Sequence, residues 1–321
     1  MRIPAVDFRQ PLPPQQDVQA AIQSFMRRCD ARNLSHHTKE FYRFRFEAFA
    51  RFLLAHAPTL GIADVTPAVI RDFLADETTR ISSLTAHHSF ITLRCFFRYL
   101  TAEGLIDTNP MEHVEPLRQR KKVITTFTTD QVRALLAACG TDFTGKRDSA
   151  IILILADCGL RVSELCGLTL DAIDWRDRTL LVLGKGAKER RVPFGNAAYR
   201  ALTAYTAHRG EIPKVNSLFV SCYGVPLTRL RILEMLKDRG TATGVDISVC
   251  SPHNFRRYFA VSYLRNGGDV FSLQKLLGHT SLEMTRRYAE LAQTDIVEKH
   301  RRFSPGDMLQ LQPTSGRKRY K

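Results

Sequence analysis

No two of the seven cysteines (Cys29, Cys95, Cys139, Cys158, Cys166, Cys222 and Cys250) are spaced as C-x-x-C, and none stands with a histidine at a zinc-ligand interval. Zinc-ribbon and dithiol redox chemistry are therefore excluded. Free thiols among apolar neighbours, in a reducing compartment, are expected instead. No run reaches the roughly 18 apolar residues of a membrane span; IILILA over 151–156 is far too short. The first residues, MRIPAVDFRQPLPPQQ, lack the apolar centre of a secretory signal. A cytoplasmic protein with no membrane attachment is expected. The G-K-G of residues 184–186 has neither the G-x-x-x-x-G-K-[ST] nor the G-x-G-x-x-G spacing, which sets aside ATP and NAD. No acidic cluster suits Mg²⁺, so neither a metal nor any other cofactor is expected. There is no internal repeat.

What the chain has in excess is positive charge. Lys plus Arg is 47 against 32 for Asp plus Glu, a net +15, and the isoelectric point is near 9.8. That balance points to a polyanionic partner, with nucleic acid first. Hydrophobic residues make up 44% of the 321, enough for real cores and, at this length, for two domains.

Residues 1–14 read as an extended, Pro-rich lead-in, and 15–106 as a bundle of four helices. The first, Asp17 to about Ala31, has Val18, Ile22, Phe25 and Met26 on one stripe. The second, Ser35 to His56, is expected to turn Phe41, Phe44, Ala48 and Phe52 inward. Thr66-Pro67 starts the third, and Ser82 or Ser83 the fourth, with Leu84, Ile91, Phe96 and Leu100 as candidates for burial. The adjacent pairs His36/His37 and His87/His88 point to different helix faces and hold no metal. Asn109-Pro110 breaks the helical pattern, and 107–127, with Arg118, Arg120, Lys121 and Lys122, reads as a linker.

A second domain is expected over 128–303. Thr128 with Gln131 fits a capping box; a buried helix follows from Arg147 to Cys158 and is ended by Gly159. TLLVL and ERRVP are two strands joined by a tight turn that exposes Lys185. Asn196 is expected to cap a helix, LFVS to form a short strand, and Thr228 to cap another helix. Ser251-Pro252 opens a helix on which His253 and Arg256 lie three apart, on one side. Gly278 ends a second helix, and His279 stands in the turn after it. Thr280 with Glu283 fits another capping box, so a third helix carries Tyr288 and runs to about Arg302. Residues 304–321 read as a loose tail.

Arginine grips phosphate oxygens through a planar fork. Histidine donates to phosphate or moves a proton near neutral pH, and tyrosine can be a covalent nucleophile. Each residue alone reads blandly, Tyr288 as a core or rim tyrosine and His253 as a structural histidine. Their joint pattern points to phosphoryl transfer.

Four blocks, GLRVSEL, GKGAKERRVP, SPHNFRRYFA and LLGHTSLEMTRRYAEL, resemble in order and spacing the signatures of the tyrosine recombinases, or phage-integrase family. The resemblance runs from about Thr128 to about His300. It implies a mainly α protein with a small β-sheet: an N-terminal SAM-like helical core-binding domain that clamps one side of the DNA, then a mixed α/β catalytic domain. Arg161 is similar to the family's first catalytic arginine and Lys185 to its hairpin lysine. His253 and Arg256 resemble its H-x-x-R pair, His279 its late histidine and Tyr288 its nucleophile, while Glu164 falls at a supporting acidic position. Arg257 departs from the pattern, standing where many relatives have histidine.

The resemblance implies a site-specific DNA recombinase, independent of metal and ATP, that works through a 3′-phosphotyrosine. The two arginines would hold non-bridging oxygens, with His253 as base, Lys185 as acid to the 5′-oxygen and His279 as a donor. Arg43, Arg45, Arg118, Arg120, Lys121, Lys122 and Arg257 are the expected DNA contacts. The expected partners are double-stranded recombination sites, three further copies of the chain in a homotetramer on two sites, and an accessory recombinase or excision factor. A mobile-element recombinase is favoured. The alternatives are a chromosome-dimer-resolving enzyme of Xer type, a type IB topoisomerase and a non-catalytic DNA-binding protein. No further DNA-binding domain is expected before the bundle, nor, with it, arm-site binding of the lambda kind.

Overall fold

The computed structural model describes residues 14–117, 126–184, 188–279, 281–292, 300–301 and 304–309. Arg118, Arg120, Lys121, Lys122, Lys185 and the expected capping residue Thr280 lie outside the described residues, as do the lead-in up to residue 13 and the tail beyond 309. The chain divides into two units, 1–122 and 123–321. The described residues are mostly helical with one three-stranded sheet.

The first unit holds α1 (Pro14–Ala31), α2 (His36–His56), α3 (Pro67–Arg80) and α4 (Ser83–Ala102). Ser35, Thr66 and Ser82 each accept a backbone N–H in the first turn that follows, which sets the starts of α2, α3 and α4. Phe25 of α1 is the hub of the core, meeting Tyr42, Phe46, Phe96 and Tyr99 edge-on at 5.3–5.7 Å.

The inward stripe of α2 differs from expectation. Phe46, Phe49 and Leu53 are buried, while Phe44 is 63% exposed. Aromatic residues surround this helix, so periodicity allows more than one phase; contacts of Phe46 with Phe25 and of Phe49 with Phe73 select the observed one. Leu84 is likewise exposed, because the buried face of α4 begins with Ala86 and continues through Phe90, Leu93 and Phe97, and Leu84 lies off it. Met111, within the 3₁₀ turn Pro110–His113, and Val114, which follows it, fall inside the stretch expected as linker and are buried in this unit's core.

In the second unit α5 (Thr129–Ala137) has the expected capping box at Thr128 and Gln131. The buried helix α6 spans Phe143–Cys158, one turn longer than expected because Asp142 caps it, and is followed by α7 (Val162–Cys166). Ile151, Ile152, Ile154 and Leu155 of α6 are fully buried. Gly159 ends α6 at φ +58°, and a Cβ there would meet Phe259 at 2.3 Å, so both backbone and space demand glycine. Strands β1 (Ile173–Asp174), β2 (Thr179–Leu183) and β3 (Glu189–Pro193) form an antiparallel sheet in that order. Leu180, Val182 and Val192 line its buried face.

Helices α8 (Asn196–Arg209), α9 (Arg229–Thr243), α10 (Pro252–Arg265), α11 (Val270–Leu277) and α12 (Leu282–Ala292) complete the described core. Asn196 is the first helical residue rather than the cap; its side chain accepts from Arg178, and the N–H of Gly195 is taken by Asp157 at 2.6 Å. LFVS is not a strand. Tyr205 Oη donates to the Leu218 carbonyl and accepts from the Val220 N–H, both at 3.1 Å, so a buried side chain satisfies backbone that a neighbouring strand otherwise would. Of the free cysteines, Cys29, Cys158 and Cys250 are buried and Cys222 is exposed.

Candidate active site

The site is assembled where four short pieces of chain end. Arg161 caps α7 and leaves the core just after Gly159. Arg256 lies one turn into α10, which Ser251 and Pro252 start as expected. His279 follows Gly278, whose φ of +63° ends α11. Tyr288 sits on α12. The expected α12 capping box falls on Thr280, outside the described residues.

Arg256 is almost fully buried. Its guanidinium donates to the Gly159 carbonyl at 2.7 Å, the Leu277 carbonyl at 2.7 Å and His279 Nε2 at 2.9 Å. Burial, with Arg161 nearby, lowers its pKa to about 10, so it remains a cation at neutral pH. His279 is buried, and its Nδ1 lies 3.0 Å from Thr285 Oγ1. Burial and the charges of Arg256, Arg161 and Arg190 lower its pKa to about 4, so the ring is neutral. Its ring stacks on Tyr288, with centroids 6.2 Å apart and planes within 18°. Tyr288 is half-buried against a small cluster that includes Phe259, Leu273 and Leu277.

Glu164 organises the other side. Its carboxylate accepts from the Arg161 backbone N–H and guanidinium, both at 2.8 Å, and from both Nη atoms of Arg190 at 3.0 and 2.9 Å. Burial alone would raise its pKa; the bonds from Arg190 and Arg161 outweigh this and hold it below the usual value. Arg190 was not singled out from the sequence. It shares the inward-facing phase of β3 with Val192, alternating with exposed Glu189, Arg191 and Pro193, and a charged residue in that phase is the signal that could have found it. Its Nε donates to the Leu276 carbonyl at 3.0 Å. The Leu277 carbonyl also receives Arg161 Nη1 at 3.5 Å. The C-terminal end of α11, where helical carbonyls carry partial negative charge, thus holds three arginines. Among the described residues Glu164 is the one carboxylate bonded to them. The arrangement carries surplus positive charge beside a tyrosine, which suits an anion such as a phosphodiester.

His253 shares α10 with Arg256 but reaches solvent. Crowding round its ring, followed by the charges of Arg257 and Arg256, lowers its pKa and favours the neutral, proton-accepting form. Arg257 is half-buried and donates to Asn254 at 2.9 Å. In the first unit Arg43 pairs with Glu40, and Arg45 lies over the Phe41 ring at 5.6 Å. The two do not share a groove: Arg43 borders one between α1 and α2, Arg45 another with Arg51 and Arg80. Among the described residues no group of histidine, cysteine and acidic side chains could hold a metal, and no helix is long and apolar enough to cross a membrane.

The pattern described as the phage integrase family matches residues 125–295, and that of the phage integrase N-terminal SAM-like domain matches 22–104. The chain belongs to the phage integrase family of tyrosine recombinases. It is 34% identical over 281 residues to the tyrosine recombinase XerD of Pseudomonas putida, covering 85% of this chain and 93% of that one. It is 32% identical to the tyrosine recombinase XerC of Thermodesulfovibrio yellowstonii, covering 84% and 91%. In fold it is similar to a crystal structure of the XerH site-specific recombinase bound to palindromic difH substrate, a post-cleavage complex, with TM-score 0.76, 17% identity and coverage of 93% of this chain and 98% of that one. Family membership makes the protein a tyrosine-type site-specific recombinase, and the four sequence blocks that carried the resemblance are the ones that meet at the α11 terminus.

Glu164→Ala is expected to reduce unfolding free energy at pH 7 by about 3–5 kcal/mol, because it removes a buried carboxylate and leaves Arg190, its side chain only 15% exposed, without its acid. The folded carboxyl is depressed below its usual 4.5, so its stabilisation is full above that value and is lost as pH falls through the lower folded value. Urea unfolding should therefore show the gap between wild type and variant closing in acid. A gap unchanged with pH would argue against an ionised Glu164 as the support.

Proposed function

We propose that this chain cuts and rejoins DNA at two recombination sites through a 3′-phosphotyrosine. The observation that carries this is the surplus of guanidinium charge at the end of α11, next to a His279 ring stacked on Tyr288. Tyr288 Oη attacks the phosphorus, a P–O bond forms, and the bond to the 5′-oxygen breaks. His253 takes the tyrosine proton, and Lys185 gives one to the leaving oxygen. Arg161 and Arg256 hold the two non-bridging oxygens and neutralise charge gathering there, and His279 donates to one of them. The ester link retains the energy of the broken bond, so a new 5′-hydroxyl can reverse the step without ATP.

The basic residues outside the site serve positioning, contacting phosphate without reading sequence. Arg45, Arg118, Arg120, Lys121, Lys122 and Arg257 fill this role better than Arg43, which Glu40 already engages. We place the protein in the cytoplasm, working as a homotetramer, with an accessory recombinase or excision factor as a further partner. Leu309, 67% exposed, is among the apolar tail residues available to a neighbouring subunit. Integration and excision of a mobile element is the first reading of the biological role. Resolution of chromosome dimers is the second, and the Xer names of the curated relatives favour it.

The test is a supercoiled plasmid with two directly repeated copies of the DNA that flanks the coding sequence. Recombination yields two smaller circles. Relaxation without those circles would assign the same chemistry to a topoisomerase, and binding without either would leave a DNA-binding protein.

A further inference from the structure

A guanidinium has only donors. Arg256 Nη2 stands 2.9 Å from His279 Nε2, so Nε2 accepts. The neutral ring then carries its proton on Nδ1 and gives it to Thr285 Oγ1 at 3.0 Å. Thr285 is fully buried and lies on α12 three residues before Tyr288. The turn bearing the ring is fixed on both sides: the His279 N–H donates to the Gln274 carbonyl at 3.1 Å, and Gln274 Nε2 donates to the His279 carbonyl at 3.2 Å. Stacking on Tyr288 further limits rotation of the ring.

This arrangement conflicts with the donor role proposed above. An Nε2 lone pair facing a phosphate oxygen repels it. To donate there, the ring must carry its proton on Nε2, and its Nδ1 must then accept. The partner at Nδ1 has to become a donor without moving. A carboxylate or a backbone carbonyl cannot do this, whereas a hydroxyl can.

We propose that Thr285 is a positioning residue whose hydroxyl reverses its hydrogen bond, so that His279 changes tautomer when a phosphodiester engages Arg256. In the DNA-free protein Thr285 Oγ1 accepts from Nδ1–H. With phosphate bound, Arg256 Nη2–H turns from Nε2 to a phosphate oxygen, the proton leaves Nδ1 for water and another is taken up at Nε2, with no change in charge. Thr285 Oγ1–H then donates to Nδ1, and Nε2–H donates to the phosphate oxygen. The inference rests on the anion-binding reading of the site.

The test uses the full-length chain with ¹⁵N-histidine and ¹⁵N-arginine labels and inorganic phosphate as the probe. Long-range ¹⁵N–¹H spectra distinguish the two tautomers, and a His279→Gln sample assigns the signal. Wild type and Thr285→Ser should show Nδ1–H without phosphate and Nε2–H with it. Thr285→Val, which keeps the shape and removes the hydroxyl, should fail to reach a clean Nε2–H state and bind phosphate about 2- to 10-fold more weakly, the worth of one hydrogen bond. If phosphate shifts the Arg161 and Arg256 side-chain signals while His279 keeps Nδ1–H, the tautomer change is wrong and the anion site stands. The same tautomer change in Thr285→Val as in wild type would also overturn the role of Thr285. If phosphate moves neither arginine, the anion-binding reading fails and this inference with it.

Discussion

Tyr288→Phe is expected to bind DNA nearly as well as wild type and to form no protein–DNA adduct. The ring sits half-buried, stacked on His279 and packed against the cluster that contains Phe259, Leu273 and Leu277, and none of this needs the phenolic oxygen. Removing that oxygen leaves the guanidinium cluster and its carbonyl anchors intact. Phosphate binding should therefore persist while covalent capture falls below detection. Nicked suicide substrates measure this directly: loss of the short 5′ fragment prevents rejoining, so wild-type adduct accumulates and can be counted on a denaturing gel. Adduct from the Phe variant at wild-type levels would require another nucleophile and would remove Tyr288 from the mechanism.

Lys185→Ala should slow cleavage of ordinary DNA by about 10²–10⁴-fold, the usual contribution of a positioned acid. An alkoxide is a poor leaving group and needs a proton as the bond breaks; a 5′-thiolate does not. On DNA with sulfur at the bridging 5′ position, Lys185→Ala should regain much of its rate. Arg161→Ala should stay impaired on both substrates, because its proposed task is to hold non-bridging oxygens. Single-turnover rates for both variants on both substrates separate the two roles. If sulfur fails to rescue Lys185→Ala, the acid lies elsewhere. Lys188, whose carbonyl accepts the Gly184 N–H at the base of the same turn, is then the next candidate.

What was legible in the sequence was mostly local. The starts of α2, α3, α4, α5, α9 and α10 are set by a hydroxyl side chain one turn from the N–H it binds, so a few adjacent letters carry them. The glycines after α6 and α11 are similarly readable, and with them the placement of Arg161 and His279. Contacts between distant segments were not legible. Arg190 matters because β3 brings it to Glu164, 26 residues earlier, and to the Leu276 carbonyl, 86 residues later. Thr285 fits helical spacing on a buried face, and nothing nearby says that an imidazole waits across the turn. The phase of α2 failed for a related reason, since only its neighbours distinguish Phe46 from Phe44.

The acceptors that hold the arginines at the end of α11 are the main-chain oxygens of Gly159, Leu276 and Leu277. Any residue type at 276 or 277 supplies the same oxygen. Leu277 is fully buried and its side chain is fixed by packing, but Leu276 is partly exposed, so drift at 276 can change the helix's outer chemistry while the arginine anchor passes on unaltered, and the site is inherited partly through backbone shape. A side-chain substitution scan of α11 would for that reason undervalue the helix that holds the site together.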